Sequence, residues 1–96
     1  MITLIAKLKA QPGKEALLAD ECVKLAKNVR EHEQGCLMYI PHVSTENPAE
    51  IVFFEKYIDQ EAFHAHGQTP YFKAYKEKCG ELAEGNSKIQ FIKELI

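Results

Sequence analysis

The chain has 96 residues, 46% of them hydrophobic and 27% charged, with a formal net charge of -2. That length supports one domain over residues 1–96 with a modest core. The balance lacks the basic stripe of a nucleic-acid binder, and no apolar run nears the roughly 20 residues of a membrane span. Met1 leads straight into strand-like alternation without a signal-peptide layout, so a cytoplasmic protein is expected. Cys22, Cys36 and Cys79 are odd in number, lack CxxC spacing and sit in apolar patterns. They read as buried, reduced thiols acting as small hydrophobes.

Ile2, Leu4, Ala6 and Leu8 alternate with Thr3, Ile5, Lys7 and Lys9, the period of a strand. Gln11-Pro12-Gly13 is turn chemistry. A helix follows from about Lys14 to Glu31, with Leu18, Cys22, Leu25 and Val29 as its core stripe and His32 one step beyond. Glu33-Gln34-Gly35 ends it, with Gly35 expected as a left-handed cap. Cys36 to Val43 reads as a second strand. Cys36, Met38, Ile40 and His42 face one way, and Leu37, Tyr39, Pro41 and Val43 the other. Pro41 places that strand at an edge or a bulge. Ile51 to Ile58 is the third strand. Asp59 caps a short helix through His66, broken at Gly67. Thr69 then caps a further helix with Pro70 at its first position, burying Phe72, Tyr75 or Lys76, Cys79 and Leu82. Lys88 to Leu95 is the fourth strand.

The order β-α-β-β-α-β predicts an α+β, ferredoxin-like domain with both helices on one face of an antiparallel sheet. Strands two and three carry large apolar groups on both faces, whereas a sheet covered on one side shows a polar second face. Ile5, Met38, Ile40 and Phe53 or Phe54 would leave an exposed apolar patch. A two-fold homodimer covering that face is expected.

The densest run of imidazoles and aromatic rings is Glu61 to Tyr75. His64 and His66 lie two apart on a helix, so they point about 200° apart and do not face one ion. No metal site is expected, and no GxGxxG, Walker loop or serine elbow occurs. Glu55 reads as a pocket acid, as the orienter of a histidine, or as a carboxylate paired with a lysine. His66 reads as a pocket-lining base. The candidate catalytic set is His66, Tyr39 and Glu55. Candidate substrate contacts are His64, Tyr71, Phe72, His42 and Tyr57, around a small, mostly apolar cavity suited to a planar polar ligand.

In Lys9-Ala-Gln-Pro-Gly-Lys14, Gly35-Cys-Leu-Met-Tyr39 and Glu55-Lys-Tyr-Ile-Asp59 the chain resembles the antibiotic biosynthesis monooxygenase (ABM) superfamily. Ala62-Phe-His-Ala-His66 and Gln68-Thr-Pro-Tyr-Phe-Lys-Ala-Tyr75 carry the likeness most strongly. It covers nearly the whole chain and implies a dimeric α+β barrel. It also implies cofactor-free oxygenation of quinols and similar electron-rich aromatics by O2. There a base deprotonates the substrate hydroxyl, the anion gives an electron to O2, and the radicals combine to a peroxide that loses water. By position His66 would be that base, with Tyr39, Glu55 and Tyr71 as orienters and Phe72 as a wall. No flavin, haem or metal is implied. Where the haem-degrading branch carries Asn, Trp and His, this chain has Leu8, His66 and Lys76, so haem degradation is not expected. The Trp usual at the end of the third strand is Tyr57 here. A second branch isomerises or degrades a phosphorylated quorum-sensing dione and shares the His-x-x-Thr-Pro arrangement of His66 to Pro70. A base at His66 serves either reaction. A quinol monooxygenase, a dione isomerase and a non-catalytic dimeric ligand-binding protein therefore all remain open.

Overall fold

A computed structural model describes residues 1–96. Its elements run β1 (Ile2–Lys9), α1 (Glu15–His32), β2 (Cys36–Val43), β3 (Glu50–Tyr57), α2 (Gln60–Gly67), α3 (Pro70–Leu82) and β4 (Lys88–Ile92). The strands form one antiparallel sheet in the order β2-β3-β1-β4. This is the ferredoxin-like α+β arrangement that the element order requires. Pro41 sits on β2, an edge strand, where its missing N–H costs no central ladder bond.

The alternation of β1 and β3 sorts the sheet into two faces. Leu4, Ala6 and Leu8 of β1 and Ile51, Phe53, Glu55 and Tyr57 of β3 turn toward the helices and are buried. Leu18, Cys22, Leu25, Ala26 and Val29 of α1 close over them at helical spacing. The opposite face carries Ile5 and Phe54, paired across β1 and β3, and Ile40, paired with Phe54 from β2. Phe53 thus belongs to the core and Phe54 to the open face.

Five local expectations change. Strand β2 is bulged, since Cys36 opposes Tyr57 while Met38 opposes Lys56. The extra residue, Leu37, breaks the alternation, so Cys36 packs on the core while Met38 lies on the open face. Gly35 has no positive φ and is not a left-handed cap. It is a close-approach glycine: a Cβ there would lie 2.7 Å from the Ala62 Cβ of α2. His32 is exposed rather than part of the core stripe. Helix α2 continues through Gly67, and the break falls at Gln68 and Thr69. Strand β4 ends at Ile92, not Leu95.

Both short-helix caps form. Asp59 Oδ1 accepts from the Ala62 N–H at 2.8 Å, and Thr69 Oγ1 accepts from the Phe72 N–H at 3.3 Å. The far end of α3 is tied to β1 by an Ala10–Ala83 bridge and by the Glu84 N–H donating to the Lys9 carbonyl at 2.7 Å. Between these anchors α3 contributes no fully buried side chain. Phe72, Tyr75, Cys79 and Leu82 only lean on the core. No helix is long and apolar enough to cross a membrane.

Candidate functional site

Because α3 stands off the sheet, a cavity of about 390 Å³ opens between it and the strands. This lies at the small end of ligand sites. Its floor is Leu4, Ala6, Leu8 and Phe53, and α2 and α3 supply Phe63, His66, Phe72, Tyr75 and Cys79. Tyr39 and Glu55 enter from the sheet. Its exposed lining residues include the polar His64, Gln68, Lys76, Asn86 and Ser87, beside Gly80, Gly85 and Ile89, so the mouth is largely polar and the floor apolar.

His66 is 4% exposed. Its ring lies among those of Phe72, Tyr39 and Tyr57, at centroid distances of 4.6, 5.0 and 5.6 Å. Nδ1 is 3.1 Å from both carboxylate oxygens of Glu33, the residue that ends α1. The Tyr71 hydroxyl donates to Oε2 of the same carboxylate. Nε2 is buried without a hydrogen-bond partner. A buried polar atom left unpaired is uncommon in folded proteins. Burial pushes the His66 pKa below its ordinary 6.5, and the Glu33 carboxylate opposes that shift. The ring is therefore neutral at physiological pH, with a lone pair available.

Glu55 is 6% exposed, and the Tyr57 hydroxyl donates to its Oε1 at 2.7 Å. Its partner is therefore a tyrosine rather than a lysine, and it does not orient His66. Burial pushes its carboxyl up to about 7, with the Tyr57 hydrogen bond opposing and Glu33 adding to the shift. Tyr39, opposite Glu55 across β2 and β3, has its hydroxyl pKa raised by burial and then by the Glu55 charge. Burial also pushes the Cys22 and Cys36 thiols up to about 12, and raises Cys79, so none is poised as a thiolate nucleophile.

The titration of Glu55 carries a stability signature. Its pKa in the fold is about 7 against an ordinary 4.5. Between those values the folded protein holds a proton that the unfolded chain has released. Stability is therefore lost as pH rises through that window. Urea unfolding should show a decline on the order of 3 kcal/mol across it, removed in Glu55→Gln.

Of the residues expected from sequence, His66, Tyr39, Glu55 and Phe72 meet at the cavity, and His64 lies at its mouth. Three expected substrate contacts lie elsewhere. His42 is on the open face of the sheet, with Nδ1 3.2 Å from the Val52 carbonyl. Strand alternation puts it opposite Tyr39. Tyr57 is fully buried beneath the cavity and reaches it only through Glu55. Tyr71 lies behind His66 on the Glu33 carboxylate. Glu33 itself was missed. His64 and His66 diverge, one exposed and one buried, and no group of three or more His, Cys, Asp or Glu side chains gathers to hold a metal.

A ferredoxin-like sheet with helices on one face and a buried imidazole lining an apolar cavity defines a small α+β protein. Residues 1–78 match the family model described as antibiotic biosynthesis monooxygenase, and the chain belongs to that family. It is 34% identical over 101 aligned positions to the Escherichia coli K12 protein named "Probable quinol monooxygenase YgiN", covering 93% of this chain and 95% of that one. The solved protein PA3566 of Pseudomonas aeruginosa shares 29% identity with a TM-score of 0.91, covering 99% of this chain and 94% of that one. A Caulobacter crescentus CB15 structure named for the same family shares 32% identity with a TM-score of 0.91, covering 99% and 90%.

Proposed function

We propose that the protein is a cofactor-independent monooxygenase that oxidises a quinol or similar electron-rich aromatic with O2. The observation that carries this reading is the unpartnered, buried Nε2 of His66 beside an apolar cavity. A phenolic hydroxyl seated there meets a base in a medium that strengthens proton transfer and excludes water. The resulting anion is electron-rich enough to reduce O2. One oxygen atom enters the ring at a C–H carbon, which becomes a carbonyl, and the other leaves as water. Phe72 and Phe53 flank a planar ring, and Tyr39 and Glu55 hold its second oxygen. With a pKa near 7, Glu55 supplies a proton when the O–O bond breaks. Membership of the monooxygenase family and the likeness to the E. coli relative support the same reading.

The open sheet face, with Ile5, Phe54, Ile40 and Met38, supports a two-fold partner, since a lone chain would leave that apolar patch in water. Three free thiols suit a reducing, cytoplasmic setting. Oxygen-electrode assays over a panel of hydroquinones test the function. Uptake by the wild type that disappears in His66→Ala supports it. A folded wild type that consumes no oxygen with any of them refutes it.

A further inference from the structure

We propose that Glu33 is the positioning residue of this site, fixing the tautomer of His66 so that Nε2 presents a lone pair to the cavity. This deepens the reading of His66 as the base and rests on it.

The inference begins from what a carboxylate can do. An ionised Glu33 only accepts hydrogen bonds. Both of its oxygens lie 3.1 Å from His66 Nδ1, so the hydrogen between them belongs to Nδ1. In a neutral imidazole that leaves Nε2 bare. The other tautomer would set Nδ1 and the carboxylate lone pair to lone pair, and would strand an N–H at Nε2, where no acceptor lies. Both faults cost energy in a buried site. The pair is well enclosed, with side-chain exposures of 5% for His66 and 13% for Glu33.

Tyr71 completes the device. Its hydroxyl donates to the Glu33 oxygen, so that carboxylate is shared between Tyr71 and His66. The groups facing His66 are thus Glu33 from the end of α1, Tyr39 from β2, Tyr57 from β3, and Tyr71, through Glu33, from α3. Of these only Glu33 is a carboxylate, and it alone hydrogen-bonds the ring. The contact is also sterically keyed. Gly35, two residues past Glu33, lets α2 approach closely at Ala62, one turn before His66.

The test reads the imidazole itself, through NMR of the ring nitrogens in histidine-labelled protein without substrate. Wild type should show His66 protonated at Nδ1 above its titration range. Glu33→Gln should populate the Nε2–H form, because a carboxamide can donate to Nδ1 as well as accept. Its pKa should fall, because the charge that raised it is gone. Tyr71→Phe should keep the Nδ1–H form and raise the pKa, because the carboxylate is then no longer shared. Glu33→Asp should retain the wild-type tautomer. In assays kcat should drop by about 10- to 10⁴-fold in Glu33→Gln, with the acid limb moving to lower pH. A wild-type His66 protonated at Nε2, or an unchanged tautomer and pKa in folded Glu33→Gln, overturns the proposal. Because the NMR arm needs no turnover, it fails or succeeds independently of whether a hydroquinone is oxidised.

Discussion

His66→Ala should lower oxygen-dependent turnover of a hydroquinone by about 10²–10⁴-fold, the usual contribution of a positioned general base. The loss should appear in kcat, because the ring cavity formed by Phe53, Phe72 and Tyr39 remains. Affinity for a non-reacting quinone, followed by fluorescence quenching, should change little by comparison. The pH profile adds a signed expectation. Protonation of Nε2 removes the base, and burial lowers that pKa below 6.5. Activity should therefore persist on the acid side of the ordinary histidine range, and the limb should vanish with the imidazole. A His66→Ala protein with wild-type kcat and an unchanged acid limb would remove His66 from the chemistry.

Gly35→Ala should damage both stability and turnover. The added methyl would meet Ala62 Cβ at 2.7 Å, a distance that real Cβ atoms essentially never show. Neither carbon can rotate away, so α2 must shift as a body. Overpacking of this kind costs about 1–3 kcal/mol. The same shift moves His66 relative to Glu33 and the cavity, and misplacement by about an ångström can cost on the order of 10²-fold in rate. Paired with Ala62→Gly the steric conflict disappears, so the double variant should recover activity and most of the thermal midpoint. No recovery in that variant, or a fully active Gly35→Ala, would mean that the helix contact does not set the site.

The strand and helix pattern was readable because it follows from local periodicity. The core stripe of α1, the two caps at Asp59 and Thr69, and the edge position of Pro41 all rest on neighbours close in sequence. His66 was readable for the same reason: helix geometry separates it from His64, and aromatic residues flank it. The bulge at Leu37 was not, because an extra residue in a ladder leaves no mark on composition. Placing His42 at the cavity conflicted with strand alternation itself, since three residues separate it from Tyr39. Glu33 was hidden for a different reason. At the end of a helix beside a glycine, a glutamate looks like a solvated cap, and its partners lie 33 and 38 residues downstream. Only the packing of α1 against α2 and α3 turns it inward. Tyr71 was misplaced by the same omission, because its hydroxyl answers to Glu33.

Helix α3, which buries no side chain completely, also determines how the molecule breathes. Its ladder is held by half-covered rings and two terminal ties, so its local opening requires much less than global unfolding. Amide exchange should accordingly be faster along α3 than along α1, whose five buried residues lock it to the sheet. Opening of α3 then uncovers the cavity and the buried His66 ring while the sheet and α1 stay folded.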